Sequence, residues 1–249
     1  MVTLKTQEEL DLMERANRIV LEVLASLERR LRAGVTTREL DAHAEASIRE
    51  RGGRPAFLGY RGFPATLCTS VNDVIVHGIP SDVPLEDGDI VSIDCGVEFS
   101  GYYGDAARTY RVGAVSEQAA RLLEVTRRAL DVALDCVAPG RSLHDIGRAV
   151  ERYVKDRGYS VVRDFVGHGI GSALHEEPEV PNYRRRGRGI ELRSGMVLAI
   201  EPMVTAGSRA VKMDGDGWTA RTKDGSLSAH FEHSVAVTEA GARVLGLAA

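Results

Sequence analysis

Five residues have the types and positions to hold cations: Asp94, Asp105, His168, Glu201 and Glu232. Asp94 follows Ile90-Val91-Ser92-Ile93, a β-branched run that reads as a buried strand. Glu201 ends the run Val197-Leu198-Ala199-Ile200 and is followed by Pro202. Asp105 follows Gly101-Tyr102-Tyr103-Gly104 and precedes a strand expected over Ala107–Val112, and Glu232 precedes Val235-Ala236-Val237. A buried carboxylate costs several kcal/mol unless a cation or hydrogen bonds compensate it. Backbone amides readily satisfy one such acid, but four together call for cations. His168 lies in Gly167-His168-Gly169-Ile170-Gly171, whose glycines are expected to let backbone approach an ion or ligand. The stretch lacks the Lys-Ser/Thr ending of a phosphate loop and the full dinucleotide fingerprint.

Four carboxylates and one imidazole make a hard, oxygen-rich site. Such a set favours Mn²⁺, Fe²⁺ or Co²⁺, and selects Zn²⁺ less clearly than thiolates or several histidines do. Two ions sharing bridging carboxylates sit roughly 3.5–4 Å apart, with a water held between them whose pKa they lower. That is hydrolytic chemistry. It needs no Ser or Cys nucleophile, and no nucleophile elbow is evident in the chain.

The elements that must position these residues come in two sets. Thr6-Gln7-Glu8-Glu9 reads as a capping box opening a helix that Gly34 can end. A second helix is expected from Thr36, with Glu39 three residues on, to Gly52-Gly53. Ser116 opens a third, ending before Pro139-Gly140, and Ser142 with Asp145 opens a fourth, ending at Gly158. An offset of 106 carries Gly34 to Gly140, Thr36 to Ser142, Glu39 to Asp145 and Gly52 to Gly158. At an offset of 107, Gly88–Asp94 lies over Gly195–Glu201, so glycine, apolar strand and carboxylate occur twice. Two such halves, about 1–112 and 113–249, predict one pseudo-symmetric α/β domain with sheet inside and helices outside. Asp94 and Glu201 are then expected at equivalent strand ends, facing one another.

A chain of 249 residues can bury a core without disulfides. The net charge of −4 gives no general attraction to DNA or to an anionic membrane. Cys68, Cys95 and Cys136 are odd in number and lack metal-type spacing, which suits a reducing cytosol. The N-terminal residues are polar, and no apolar run approaches the roughly 18–20 residues of a membrane span. The expected location is the cytoplasm.

With these residues in view, the sequence closely resembles the type I methionine aminopeptidases. The matching stretches are Ser70–Asp73 through His77–Pro80, Ser92–Asp94, Gly101–Asp105, Gly167–Gly171, Leu174–Pro178, Ile200–Met203 and Phe231–Thr238, seven segments in one order. The resemblance implies a pita-bread fold, α/β in class, whose two pseudo-symmetric halves clasp two divalent ions (Co, Mn, Fe or Zn) around an antiparallel-rich central sheet. It implies that Asp94 chelates one ion, that His168 and Glu201 bind the other, and that Asp105 and Glu232 bridge both. The implied reaction removes the initiator methionine from nascent polypeptides whose second residue is small, with Glu201 also passing a proton to the leaving amine. His77 is implied near the substrate's first residue, and His175 as donor to the scissile carbonyl when it becomes an oxyanion. Tyr60, Phe63, Cys68 and Trp218 fall at positions of the methionine pocket, with Phe57 and Leu174 as additions.

The chain departs from the family pattern at Leu174, where an aromatic is expected, and at His230, where Gln is expected. Glu201 follows His175 by 26 positions, which leaves no room for the helical insert of type II relatives, and N-terminal extensions are expected to be absent. Arg184-Arg185-Arg186-Gly187-Arg188 reads as a solvated basic loop, with transient docking near ribosomal RNA the sharper alternative. Two rivals remain: a proline-specific peptidase of the same fold, usually carrying a large N-terminal domain, and a binding module that has lost catalysis and with it one or more ligands.

Overall fold

The computed structural model describes residues 2–187 and 189–247; Arg188, part of the basic loop, lies outside the described residues. Among the described residues four α-helices begin where the caps predict: α1 (Gln7–Glu28), α2 (Thr37–Glu50), α3 (Glu117–Leu134) and α4 (Leu143–Lys155). Thr6/Glu9, Thr36/Glu39 and Ser142/Asp145 each form a reciprocal capping box, so two otherwise orphaned amides are satisfied at each start. α1 does not run to Gly34. The amides of Arg30 and Leu31 fold back onto the Leu27 carbonyl and close the helix early. Gly34, at φ +88°, then gives its N–H to the Leu85 carbonyl at 2.8 Å.

The two sets of elements repeat down to single hydrogen bonds. Gly34 N–H to Leu85 O (2.8 Å) has its counterpart in Gly140 N–H to Leu192 O (2.9 Å). Leu85 N–H to Val35 O and Leu192 N–H to Arg141 O are both 2.8 Å. Gly88 donates to Val112 O and Gly195 to Val237 O, at 2.9 and 3.0 Å. The isolated bridges Thr36–Pro84 and Ser142–Glu191 are likewise equivalent. The repeat is therefore a property of backbone geometry as well as of residue type.

Among the described residues the strands form four antiparallel sheets. In the first half Ile90–Phe99 pairs along its length with Tyr102–Arg111, and on its other edge with Leu67–Val71 and Arg54–Pro55. In the second half the order is Gly241–Val244, His233–Thr238, Val197–Ile200, Gly167–Gly169, Glu176–Val180. Two three-stranded sheets complete the set, one of Ser228–His230, Met203–Thr205 and Ser160–Val161, the other of Val211–Met213, Ala220–Thr222 and Val74–Val76. The halves are stitched where Tyr102–Arg111 meets residues 230–234. Glu232 N–H donates to Ala107 O (2.9 Å), Ser234 Oγ to Asp105 O (2.8 Å), and Thr109 Oγ1 to His230 O (2.8 Å).

Each half buries its own apolar cluster. Leu24, Leu40, Ile48, Ile93 and Val112 sit in the first, and Leu122, Ile146, Val154, Leu198 and Val235 in the second. A third cluster, with Met13, Phe57, Phe63, Ile170 and Leu174, draws on both halves. Among the described residues no helix is long and apolar enough to cross a membrane.

Candidate metal centre

Asp94 and Asp105 lie on adjacent strands, with Asp94 opposite Ala107 and Asp105 opposite Gly96. Side chains alternate along a strand, so this register puts both carboxylates on one face. Two expectations need correction here. Asp94 is in mid-strand, not at a strand end, and Asp105 lies inside Tyr102–Arg111 instead of preceding a strand. Pro202, which lacks an N–H, stops the second-half strand one residue before Glu201; Cys95 and Gly96 impose no such stop after Asp94.

His168 is the central residue of Gly167–Gly169, paired with Ala199. Its glycines serve the neighbouring strands, not a ligand as expected. A Cβ on Gly167 would lie 2.3 Å from Ala199 O, and one on Gly169 2.3 Å from Glu177 O. The close strands hold the ring in place, and Nδ1 lies 2.9 Å from the Gly169 carbonyl. A carbonyl only accepts, so Nδ1 carries the proton and Nε2 presents its lone pair to the acids. That nitrogen is 3.7 Å from Glu201 Oε1 and 4.0 Å from Asp105 Oδ2. Glu232, just before His233–Thr238, completes one ligand-sized group with Asp105 and His168.

His230 enters the same space. Its Nε2 is 3.5 Å from Glu201 Oε2 and 4.0 Å from Glu232 Oε2, a second ligand-sized group. Sequence reasoning marked His230 only as a departure from a family pattern. The overlooked signal is its place two residues before Glu232, because extended chain turns such a pair to one side.

Burial pushes all four carboxyls up. Asp94 and Glu201 rise to about 7, while Asp105 and Glu232 rise well above the ordinary range, their acidic neighbours adding to the cost of burial. Asp94 Oδ1, Asp105 Oδ1, Glu232 Oε1 and His230 Nε2 are buried with no hydrogen-bond partner among the described residues. Asp94, in neither ligand-sized group, lines the same cavity as Asp105 and Glu232, and orphaned acceptors gathered there have the chemistry of a cation site; the residues fit divalent ions.

Above the acids lies a cavity of about 150 Å³ that brings together the other residues singled out in the sequence. Tyr60, Phe63, Cys68 and Trp218 line it, as do Phe57, Leu174, His77 and His175. Arg61, which sequence reasoning missed, also lines it, and its guanidinium lies 5.4 Å from the Tyr60 ring centre. Trp218 meets Phe63 edge-on at 5.2 Å. His175 stacks on Tyr60, bonds through Nδ1 to the Tyr60 hydroxyl at 3.0 Å, and sits 4.1 Å from the His168 ring. Burial first, then the neighbouring imidazole of His168, lowers the His175 pKa to about 3.

His77 follows Val74–Val76 at φ +59°, a conformation few side chains adopt. The next residue must be glycine, because a Cβ on Gly78 would sit 2.2 Å from Thr69 O. That tight contact turns His77 inward against Phe165, and burial lowers its pKa to about 4.

Comparison with known proteins agrees with this geometry. The model of metallopeptidase family M24 matches residues 11–239. A methionine aminopeptidase of Clostridium perfringens is 50% identical over 99% of both chains, and methionine aminopeptidase 1 of Bacillus subtilis is 48% identical over 98% of this chain and 99% of its own. The crystal structure of methionine aminopeptidase from Rickettsia prowazekii superposes with a TM-score of 0.97 at 42% identity, covering 99% of this chain and 100% of the other. The fold is therefore the pita-bread fold, and the chain belongs to metallopeptidase family M24 and, within it, to the methionine aminopeptidases.

Proposed function

We propose that this chain removes the N-terminal methionine from nascent polypeptides whose second residue is small, using two divalent ions held by Asp94, Asp105, His168, Glu201 and Glu232. The observation that carries the reading is a small cavity lined by apolar side chains and by four acids, Asp105 and Glu232 buried and Asp94 and Glu201 partly buried. At about 150 Å³ it is well below the roughly 300–1,000 Å³ of clefts for drug-sized ligands, so it suits one side chain. Phe57, Phe63, Cys68, Leu174 and Trp218 offer a flexible, polarizable thioether an apolar wall. When bound, the ions supply a water of lowered pKa and polarise the scissile carbonyl.

The chain's own groups do the rest. If the Tyr60 hydroxyl donates to His175 Nδ1, the neutral imidazole keeps its Nε2–H to donate to the carbonyl oxygen as charge develops there. His77, also neutral, stands in the cavity wall to orient the first residue and the peptide nitrogen after it. Glu201 holds a proton from the attacking water and delivers it to the leaving amine.

We further propose a cytoplasmic location and transient docking at the ribosome. Arg184 and Arg186 are exposed and available for the latter, whereas Arg185 is tied back to Glu179 at 2.9 Å. Cleavage of Met-Ala-Ser, Met-Lys-Ser and an Xaa-Pro peptide, each with and without chelator, tests the reading. Met-Ala-Ser alone should be turned over quickly, and chelator should stop it. Equal rates on Met-Ala-Ser and Met-Lys-Ser would remove the small-residue preference, and chelator-resistant turnover would remove the metal.

A further inference from the structure

His230 lies outside the five residues to which the metal centre is assigned. Its backbone is clamped to one hydroxyl: the N–H donates to Thr109 Oγ1 at 2.9 Å, and the carbonyl accepts from it at 2.8 Å. The residue is 2% exposed, and its Nε2 has no hydrogen-bond partner among the described residues. The position of this nitrogen mirrors that of His168. His168 Nε2 faces Glu201 Oε1 at 3.7 Å and Asp105 Oδ2 at 4.0 Å; His230 Nε2 faces Glu201 Oε2 at 3.5 Å and Glu232 Oε2 at 4.0 Å. Glu201 thus turns one oxygen toward each imidazole.

The spacing decides between two uses of the ring. An N–H···O hydrogen bond needs about 2.7–3.2 Å, and both His230 distances exceed that. Two donor atoms each about 2.1 Å from one ion lie about 3–3.5 Å apart at right-angled or tetrahedral positions, and further apart at wider angles. The gap has the size of an ion.

We propose that His230 is a sixth metal ligand, sharing with Glu232 and Glu201 the ion that lies away from His168. Each ion then has one imidazole, and Glu201 becomes a bridge. The added nitrogen shifts that position away from Mn²⁺ and toward Fe²⁺, Co²⁺ or Zn²⁺. The assignment rests on the two-ion reading above, and the test separates the two.

Co²⁺ is titrated calorimetrically into the full-length, metal-free chain and its H230Q variant, and proton NMR counts the shifted ring N–H signals that vanish in D₂O. The wild type should bind two ions and show two such signals. The variant should hold its first ion unchanged and its second at least about 10–100-fold more weakly, the loss that follows removal of even a hydrogen-bond partner behind a ligand. It should show one signal. A wild type with two ions but a single shifted ring N–H overturns the sixth ligand and leaves the two-ion reading intact, whatever the stability of the variant. So does an H230Q variant whose two affinities match the wild type. A wild type that binds fewer than two ions overturns the two-ion reading, and His230's role with it.

Discussion

Replacing Glu232 by Gln should stabilise the metal-free protein while abolishing tight metal binding. Glu232 is 2% exposed, Asp105 4%, and one oxygen of each has no partner. Moving a carboxyl from its ordinary value near 4 to the value of about 7 reached by Asp94 and Glu201 corresponds to about 4 kcal/mol of destabilisation for each ionised group. Glutamine keeps the shape, removes one charge, and offers N–H groups to the surrounding carboxylates. Part of that gain is lost in fixing the amide, so a net of about 1–3 kcal/mol is expected at pH 8, with each kcal/mol raising Tm by roughly 2–4 °C at this chain length.

The pH dependence has a definite sign. The folded carboxyls hold protons more firmly than the unfolded ones, so metal-free wild type loses stability as pH rises from about 4 through 7. Buried neutral histidines such as His77, with a pKa near 4, act oppositely below pH 6.5. The margin of the variant should therefore widen between pH 6.5 and 8. Calorimetric melting in chelator, then with added Co²⁺, measures both halves: wild type should gain stability with the ion and the variant should not. A metal-free Glu232→Gln protein less stable than wild type at pH 8 would refute the argument that these acids are destabilising until a cation joins them.

His175→Ala should lower kcat by about 10²–10³ with metal content and KM little changed, because the lost donor acts on charge present only in the transition state; loss of metal in that variant would make His175 a ligand. Thr36→Ala and Ser142→Ala should each cost about 1 kcal/mol, seen as a lower Tm, since each side chain caps an equivalent helix. Gly78→Ala places a Cβ 2.2 Å from the Thr69 carbonyl, so about 1–3 kcal/mol should be lost, with KM rising as His77 shifts. Wild-type KM in Gly78→Ala would show that His77 does not depend on this contact.

What the sequence made legible is what repeats or caps. Capping boxes at Thr6, Thr36 and Ser142 set helix starts, because the side chain that satisfies a helix's free amides stands next to them in sequence. The converging acids were readable because charge beside β-branched runs is costly and therefore conspicuous. Strand extents were less legible. Nothing near Asp94 tells that its strand runs on to Phe99, since the reason is the partner strand Tyr102–Arg111 paired along its whole length. The glycines flanking His168 suggest room for a ligand, but the atoms they avoid belong to Ala199 and Glu177, both close only through sheet pairing.

The site itself is where the two halves stop being alike. The repeat gives each half a glycine turn, an apolar strand and an acid, and this equivalence alone would give a symmetric pair of carboxylates. Asp94 stays within a continuing strand, while Pro202 ends the strand before Glu201 and frees that side chain to stand between two imidazoles. Asp105 and Glu232 come from the seam, where Ser234 and Thr109 bond across from one half to the other. An acid placed there feels both halves, so displacement of one sheet relative to the other would separate Asp105 from Glu232 before it disturbed either core. A cation bound between them would relieve their repulsion and so also hold the halves together. Bound metal should accordingly slow hydrogen exchange at the seam amides of Asp105 and Glu232 more than at Leu24 or Val154 in the two cores. Uniform slowing across all four would separate the metal centre from the cohesion of the seam.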